Sequence, residues 1–477
     1  MHKIPVAGFQ EKLKKLFPKH VLWIIIAGLF LRLSLFVVLL VSSVNGENKI
    51  LSLGGDSNNY QKLAFELKDN YSFGTENPAL SAIRTPGYPL FIAFCYKIFG
   101  SQPWIVALFQ ILTDTLLIAL IYLLTLKIFN QSSACMASLF YSLEPLAIQY
   151  SGLLMSDIMF VFAIVVSAFF LWQFCKNFKM SLLFGYVLSL AVAAYIRPVA
   201  NYLFILNFLF ILIFMIYKKQ AILKVILAGT LTWCLLLSPW MIRNLNVHGH
   251  WFFSTSADSN SLILYAAKIE AKARGIAEAQ VKNEYKDYFA GNFGSVNHAN
   301  VYELHQLYKD KATETVLKYP LAFVTTYFIG MADMFFSVNR QVFEGIIGSG
   351  KAITYDALEL LSDKGSTALS NIYRDYPGST LLYVFLMLAW FLLCYFFATA
   401  GLYHLFKNKD WFSLLFLLIP LMYFTLLTGQ AGLARFKLPL IPFYLMLSAY
   451  GMTQIGSSKK FSALKVKLLP GLNSNLR

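Results

Sequence analysis

Charge is scarce in this sequence: 13% of its 477 residues are Asp, Glu, Lys or Arg, about half the share of an ordinary soluble domain. That scarcity, with 58% hydrophobic residues and a mean hydropathy of +0.59, excludes a soluble multi-domain protein. Cysteine is sparse too. Cys95, Cys135, Cys175, Cys234 and Cys394 are odd in number, lie in apolar runs and form no CxxC. They exclude a disulfide framework and a cysteine metal site, and read as small core hydrophobes. Internal repeats and low-complexity segments are absent, so a solenoid or a long linker is excluded as well.

Acidic residues are missing from particular places, and this sets the orientation. The N-terminus to Lys19, the short segments carrying Lys127, Lys176, Lys179, Lys218, Lys219, Lys224, Lys407 and Lys409, and the tail from Lys459 hold eighteen Lys/Arg against Glu11 and Asp410 alone. They account for the whole net charge of +16. By the positive-inside rule these segments are cytoplasmic and both termini lie inside. The basic residues are topology signals and contacts to anionic membrane lipids; no nucleic-acid surface is implied.

Long apolar runs are abundant. About 20 apolar residues cross the hydrocarbon core, and spans are expected near 21–44, 104–129, 134–150, 155–175, 181–197, 200–217, 222–241, 380–406, 411–428 and 435–453. The first is too long for a signal-peptide core and reads as an uncleaved anchor. The third is short and interrupted at Glu144-Pro145, an irregularity tolerated only where protein or a wet cavity covers the freed backbone. In the loop after the first span, a helix is predicted at 57–70, with Tyr60, Leu63, Ala64 and Leu67 on one face, and an interfacial apolar piece at 88–99. The excursion after Arg243 should hold polar helices near 261–290 and 301–318. The apolar stretch 319–338 reads as interfacial or re-entrant, because one more crossing would carry the basic tail outside.

Ionisable groups beside apolar helices are costly, and Asp56, Arg84, Asp157, Arg197, Arg243 and Arg435 all fall on the outer side of this topology. Such a gathering points to an anionic, partly lipidic ligand. Arg32 within the first span is expected to pair with a carboxylate such as Asp114 and is assigned no role. The alternatives are simple ones: Asp56 as a helix N-cap, Asp157 as part of a Ser-Asp cap, the arginines as interface anchors. Glu144 reads as structural, capping or pairing within the broken span. His248 and His250, flanking Gly249 without a third ligand, read as solvent-exposed loop residues.

The strings GGDSNNYQKLAFEL (54–67), RTPGYPLFIAFCYKIFG (84–100), EPLAIQYSGLLMSD (144–157), IRP (196–198), SPWMIRN (238–244) and GLARFKLPLIP (432–442), in this order, resemble the GT-C superfamily over roughly residues 20–455. More narrowly, it looks like the protein O-mannosyltransferase and aminoarabinose-transferase type. The resemblance implies an all-α polytopic membrane protein, a GT-C helical bundle of about 10 to 12 transmembrane helices with extracytoplasmic amphipathic helices. It divides into a cytoplasmic N-terminus (1–20), a catalytic membrane module (21–241) including the first extracytoplasmic loop (45–103), a large extracytoplasmic loop region (242–379), C-terminal transmembrane helices (380–455) and a basic cytoplasmic tail (456–477).

The activity implied is inverting transfer of a sugar from a polyprenyl phosphate to a hydroxyl of a lipid, glycan or protein on the outer face; a compact chain without a retrieval signal makes a bacterial inner membrane the expected location. Asp56 matches the family's catalytic base and Asp157 its second acidic position. Arg84, Arg243, Arg435 and Arg197 would hold the donor phosphate, and Tyr60 and Tyr88 would stack on sugar. No metal or other cofactor is expected, in keeping with relatives that use a monophosphate donor. A lipid-linked-sugar flippase would need a polar path across the bilayer, and the inner halves of these spans carry few charges. A noncatalytic scaffold would tolerate loss of Asp56 and Arg435 together.

Overall fold

A computed structural model describes residues 17–42, 55–293, 301–338 and 378–457; the basic N-terminal segment, the tail from Lys459 and the residues at 339–377 lie outside them. All regular structure among the described residues is helical. Seven helices are long and apolar enough to cross a membrane: Lys19–Val41, Pro103–Ile128, Asp157–Asn177, Pro198–Tyr217, Leu223–His248, Gly378–Lys407 and Trp411–Ala431. The other expected crossings correspond to two 17-residue helices, Met180–Ile196 and Ile441–Ser457, and to a broken one. The molecule is therefore an all-α membrane protein, as expected.

The interruption at Glu144-Pro145 shows how the sequence stops one buried helix and starts the next. Helix Gln131–Ser142 stops, and Glu144 starts a new helix, Pro145–Ser151, its carboxylate accepting from Leu146 N (3.4 Å) and from the Trp390 indole (2.7 Å). Proline at the first helical position has no N–H to satisfy, so the restart is natural there. Arg32 donates to the carbonyls of Ser142 (3.2 Å) and Tyr141 (3.4 Å) at the end of the first piece. Asp114 pairs with Arg32 Nε at 2.5 Å and accepts from the Tyr141 hydroxyl at 2.6 Å. Arg32 and Asp114 are fully buried, and charges so placed persist only when paired and hydrogen-bonded.

The expected loop helices form with shifted bounds. Gly55–Phe65 runs into a wider π turn at Glu66–Asn70, and Gly87–Phe99 covers the apolar piece. The polar region gives Ser256–Asn260, Ala267–Arg274, Glu278–Phe293 and Val301–Lys318, the last three sharing a small core of their own around Leu262, Ala267, Val281, Tyr285, Phe289 and Leu304. Pro320–Phe336 then turns by 105° from Val301–Lys318. Its Gly330 packs directly on the backbone of Gln430, and Lys437 Nζ donates to Phe335 O at 2.9 Å, at the helix's end. The turn segment that follows Trp411–Thr428 is thereby held against this helix.

Helices Gly378–Lys407 and Ile441–Ser457 cross at Gly401 and Gly451. A Cβ on Gly451 would lie 2.0 Å from Phe397 O and 2.5 Å from Gly401 N. Small residues let membrane helices approach this closely, where packing rather than water exclusion drives association. Gly451→Ala is expected to lower the melting temperature in detergent, at a cost of about 1–3 kcal/mol for overpacking. Gly456→Ala, where a Cβ meets open space, should leave it unchanged.

Candidate active site

Four short chain breaks bring the site residues together. Asp56 lies in the first turn of Gly55–Phe65, where the positive end of the helix favours a carboxylate. The same helix is tied to the segment before Asp157 by Ser57 Oγ on Met155 Sδ (3.5 Å) and by Tyr60 Oη with Ser156 Oγ (3.1 Å). Arg84 ends the short helix Pro78–Ile83 in an extended conformation. Thr85 precedes Pro86, a position biased away from the helical region, so the chain must break here before Gly87–Phe99 begins.

Gly87 makes the next approach possible. A Cβ there would meet Tyr195 O at 2.6 Å, so only glycine lets this helix lie against the end of Met180–Ile196. That end is Arg197, extended and followed by Pro198. Asp157 opens the adjacent antiparallel helix, Asp157–Asn177, and is 1% exposed. Arg435 comes from the 3-10 segment Ala434–Leu440, the turn supported by Gly330 and Lys437.

The charged side chains form one alternating chain. Arg84 Nη2 contacts Asp56 Oδ1, and Arg435 Nη1 contacts Asp56 Oδ2 at 2.7 Å. Arg435 Nη2 reaches Asp157 Oδ2 at 3.3 Å, and Arg197 Nη1 contacts Asp157 Oδ1. Aromatic faces support the guanidiniums: Arg84 lies over Tyr60 (4.9 Å), and Arg197 between Phe160 and Phe436 (5.6 Å each). Three cations against two anions leave the group with one net positive charge. The Nε–H groups of Arg84 and Arg435 are buried without a hydrogen-bond partner, which equips the chain to take a further acceptor.

Burial opposes ionisation of Asp56, but the Arg84 and Arg435 guanidiniums outweigh it and hold the carboxyl at about 2, below its ordinary 3.8. A depressed folded-state value stabilises the fold above the unfolded value, and this contribution disappears as pH falls through the folded one. The difference in melting temperature between the wild type and Asp56→Asn is therefore expected to shrink between about pH 4 and about pH 2, as read by thermal unfolding in detergent.

The chain of charges borders a cavity of about 800 Å³. Asp56, Tyr60, Arg84, Arg197 and Arg435 stand at one side; Phe160, Tyr202, Phe424, Leu427 and Phe436 supply apolar wall, and Ser256, Asn260 and Tyr265 line it from the polar helices.

Two expected residues sit elsewhere. Arg243, expected in the phosphate clamp, donates to Phe73 O (2.5 Å) and Asn244 Oδ1 (2.9 Å) and stacks over Trp240, so it anchors the first loop to helix Leu223–His248. Tyr88, expected to stack on sugar, is fully buried behind Tyr60, edge-on at 4.9 Å, its hydroxyl donating to Gln110 at 2.6 Å. His248 also departs from expectation: it is no exposed loop residue but the buried last residue of its helix, with its Nε2 near Arg243 and Ser81. Sequence reading missed Lys437 and Thr85. The signal for the first was available, since a lysine inside an apolar segment needs a buried partner.

Residues 83–242 match the family described as dolichyl-phosphate-mannose-protein mannosyltransferase. No curated protein matches the chain. Among solved structures, the chain is similar to the oligosaccharyltransferase of Archaeoglobus fulgidus in the apo form, with TM-score 0.51 and 13% identity over 94% of this chain and 52% of that one. The same enzyme tethered with an acceptor peptide containing the NVT sequon gives TM-score 0.50 and 14% identity, over 95% and 51%. ArnT from Cupriavidus metallidurans bound to undecaprenyl phosphate gives 0.38 and 11%, over 94% and 79%. The chain spans about half the length of the archaeal oligosaccharyltransferase. The chain thus shares the helical fold of a membrane oligosaccharyltransferase, and its residues 83–242 resemble a mannosyltransferase module.

Proposed function

We propose that the protein transfers one sugar from a polyprenyl-phosphate donor to a hydroxyl of an extracytoplasmic lipid, glycan or protein, with inversion, and that the site faces the periplasm from a bacterial inner membrane. The observation that carries this reading is the alternating chain of two carboxylates and three guanidiniums on the wall of a half-apolar cavity. One net positive charge suits a phosphodiester monoanion, and the planar guanidinium fork suits its paired oxygens. The apolar wall suits the first isoprene units, with the rest of the tail in the bilayer. The matched family, whose description names a dolichyl-phosphate-linked mannose, supports the same donor class.

In the step proposed, the acceptor oxygen bonds to the anomeric carbon as the carbon–oxygen bond to phosphate breaks, and the electron pair leaves with the phosphate oxygen. Asp56 receives the hydroxyl proton. A carboxyl held at about 2 by its arginines is a feeble base in the free enzyme. An incoming phosphate would draw hydrogen bonds from Arg84 and Arg435, and Asp56 would gain basicity as its partners turn away. Proton transfer would still be late, when bond formation has made the hydroxyl acidic. Arg84, Arg435 and Arg197 stabilise the charge arriving on the leaving phosphate; Asp157 keeps Arg435 and Arg197 in place.

The residues present do not suit a divalent metal. Arg435 bridges the very carboxylates that would ligate one, and no third His, Cys, Asp or Glu joins them among the described residues. Purified protein in nanodiscs should transfer radiolabelled mannose from its polyprenyl phosphate to a solubilised membrane extract, equally with and without EDTA. Loss of turnover with EDTA, restored by one cation, would overturn the metal-free part. Release of donor across a sealed bilayer with no new glycosidic product would overturn the transferase reading.

A further inference from the structure

The cavity is equipped with uncharged groups where the sugar would sit. Thr85 is 2% exposed, borders the cavity beside Arg84, and its hydroxyl has no hydrogen-bond partner. Buried hydroxyls are rarely left so, and an unmet one in a cavity wall points to a ligand. The segment from Ser254 to Asn260 is pinned to the end of the same short helix: Ser254 Oγ donates to Ile83 O at 2.7 Å and Thr255 N to Ala82 O at 3.0 Å. Ser256 and Asn260 of that segment line the cavity. A hydroxyl and a primary amide each donate and accept, which is the capacity needed to bind sugar hydroxyls.

Charge decides what the same wall would refuse. Among the described residues lining the cavity, the one carboxylate is Asp56, and it is engaged by two arginines. Asp157 behind it is engaged by two as well. An ammonium on the sugar would find no lining carboxylate but Asp56, beside which three guanidiniums stand, an unfavourable juxtaposition that discriminates by repulsion.

Resting on the lipid-linked donor reading, we infer that the sugar accepted is neutral and polyhydroxylated, bound through Thr85, Ser256 and Asn260, and that sugars bearing a free amine are rejected. Thr85 is the specificity-determining residue that the sequence pattern hides, one position after the arginine that draws the eye.

The test is equilibrium binding by the full chain in nanodiscs to three probes: undecaprenyl phosphate, undecaprenyl-phosphate-linked mannose, and undecaprenyl phosphate linked to 4-amino-4-deoxyarabinose. Mannose is expected to add about tenfold to the affinity of the bare lipid phosphate, the value of one or two good hydrogen bonds; the amino sugar should bind no tighter than the bare lipid. Thr85→Val should lose most of the mannose increment and Thr85→Ser should keep it, with bare lipid phosphate as the control for folding. Asn260→Asp, which adds a carboxylate to the wall, should raise affinity for the amino sugar. Tighter binding of the amino sugar than of mannose, or an unchanged increment in Thr85→Val, would overturn the inference and leave the donor reading standing. If undecaprenyl phosphate itself does not bind, the donor reading falls and the sugar assignment falls with it.

Discussion

Replacing Asp56 with Asn is expected to lower the turnover number for sugar transfer by about 100- to 10,000-fold, the usual worth of general-base assistance, while donor affinity stays level or improves. The split follows from the geometry. Asp56 occupies both Arg84 and Arg435, so losing its charge removes the proton acceptor and at the same time releases two guanidiniums for phosphate. A merely structural carboxylate would show the reverse, with poor folded yield and turnover per folded molecule intact. The measurement is single-turnover transfer alongside donor binding on the same preparation, normalised to monodisperse protein. Unchanged turnover at normal yield would remove Asp56 from the chemistry.

Arg435 carries the second large effect, and two substitutions separate its roles. Arg435→Lys keeps a charge but loses the fork that spans two carboxylates, because an ammonium is a point donor. Donor-dependent kcat/KM is expected to fall by about 100- to 1,000-fold, the scale for loss of one oriented donor to a developing anion. Arg435→Met goes further, leaving Asp157, 1% exposed, with Arg197 alone. Uncompensating a buried charge costs about 3–5 kcal/mol, so folded yield and melting temperature should drop sharply. Adding Asp157→Asn to Arg435→Met should restore part of that stability, since the charge left without its partner is gone, yet restore no activity. A double variant no more stable than Arg435→Met alone would show that the two side chains are not coupled.

Much of the architecture was legible in the residues. The apolar runs predict the helices because a membrane leaves the backbone no other partner than itself. The interruption at Glu144-Pro145 is readable as a break because proline cannot continue a helix while a carboxylate can start one. Arg32 and Asp114 are readable as a pair because neither charge survives alone in that setting. The candidate site was legible as a set of residue types, through the breaks at Arg84-Thr85-Pro86, Arg197-Pro198 and Arg435, where proline or its neighbourhood frees the chain from helical geometry.

The assignment of individual partners was not legible. Arg243 stands in a motif as suggestive as those of Arg84 and Arg435, yet its guanidinium meets Phe73 O and the ring of Trp240. Nothing local distinguishes an arginine that binds a loop carbonyl from one that faces a cavity, because the choice depends on which segment packs on that helix face. Tyr88 and Tyr60 likewise sit in similar strings, and only packing decides that one borders the cavity and the other backs it. His248 looked like loop sequence until Leu223–His248 extended through Pro239 to include it.

By itself, then, the amino-acid order determined that this is a helical membrane protein with an acidic and arginine-rich site at helix ends, since hydropathy and backbone satisfaction act locally along the chain. Tertiary structure alone decided that Arg435 bridges Asp56 and Asp157, residues 379 and 278 positions away, that Gly87 lets Arg84 and Arg197 share one wall, and that Thr85 is buried with its hydroxyl unmet. Those facts depend on through-space contact between segments whose separation no local rule of sequence encodes.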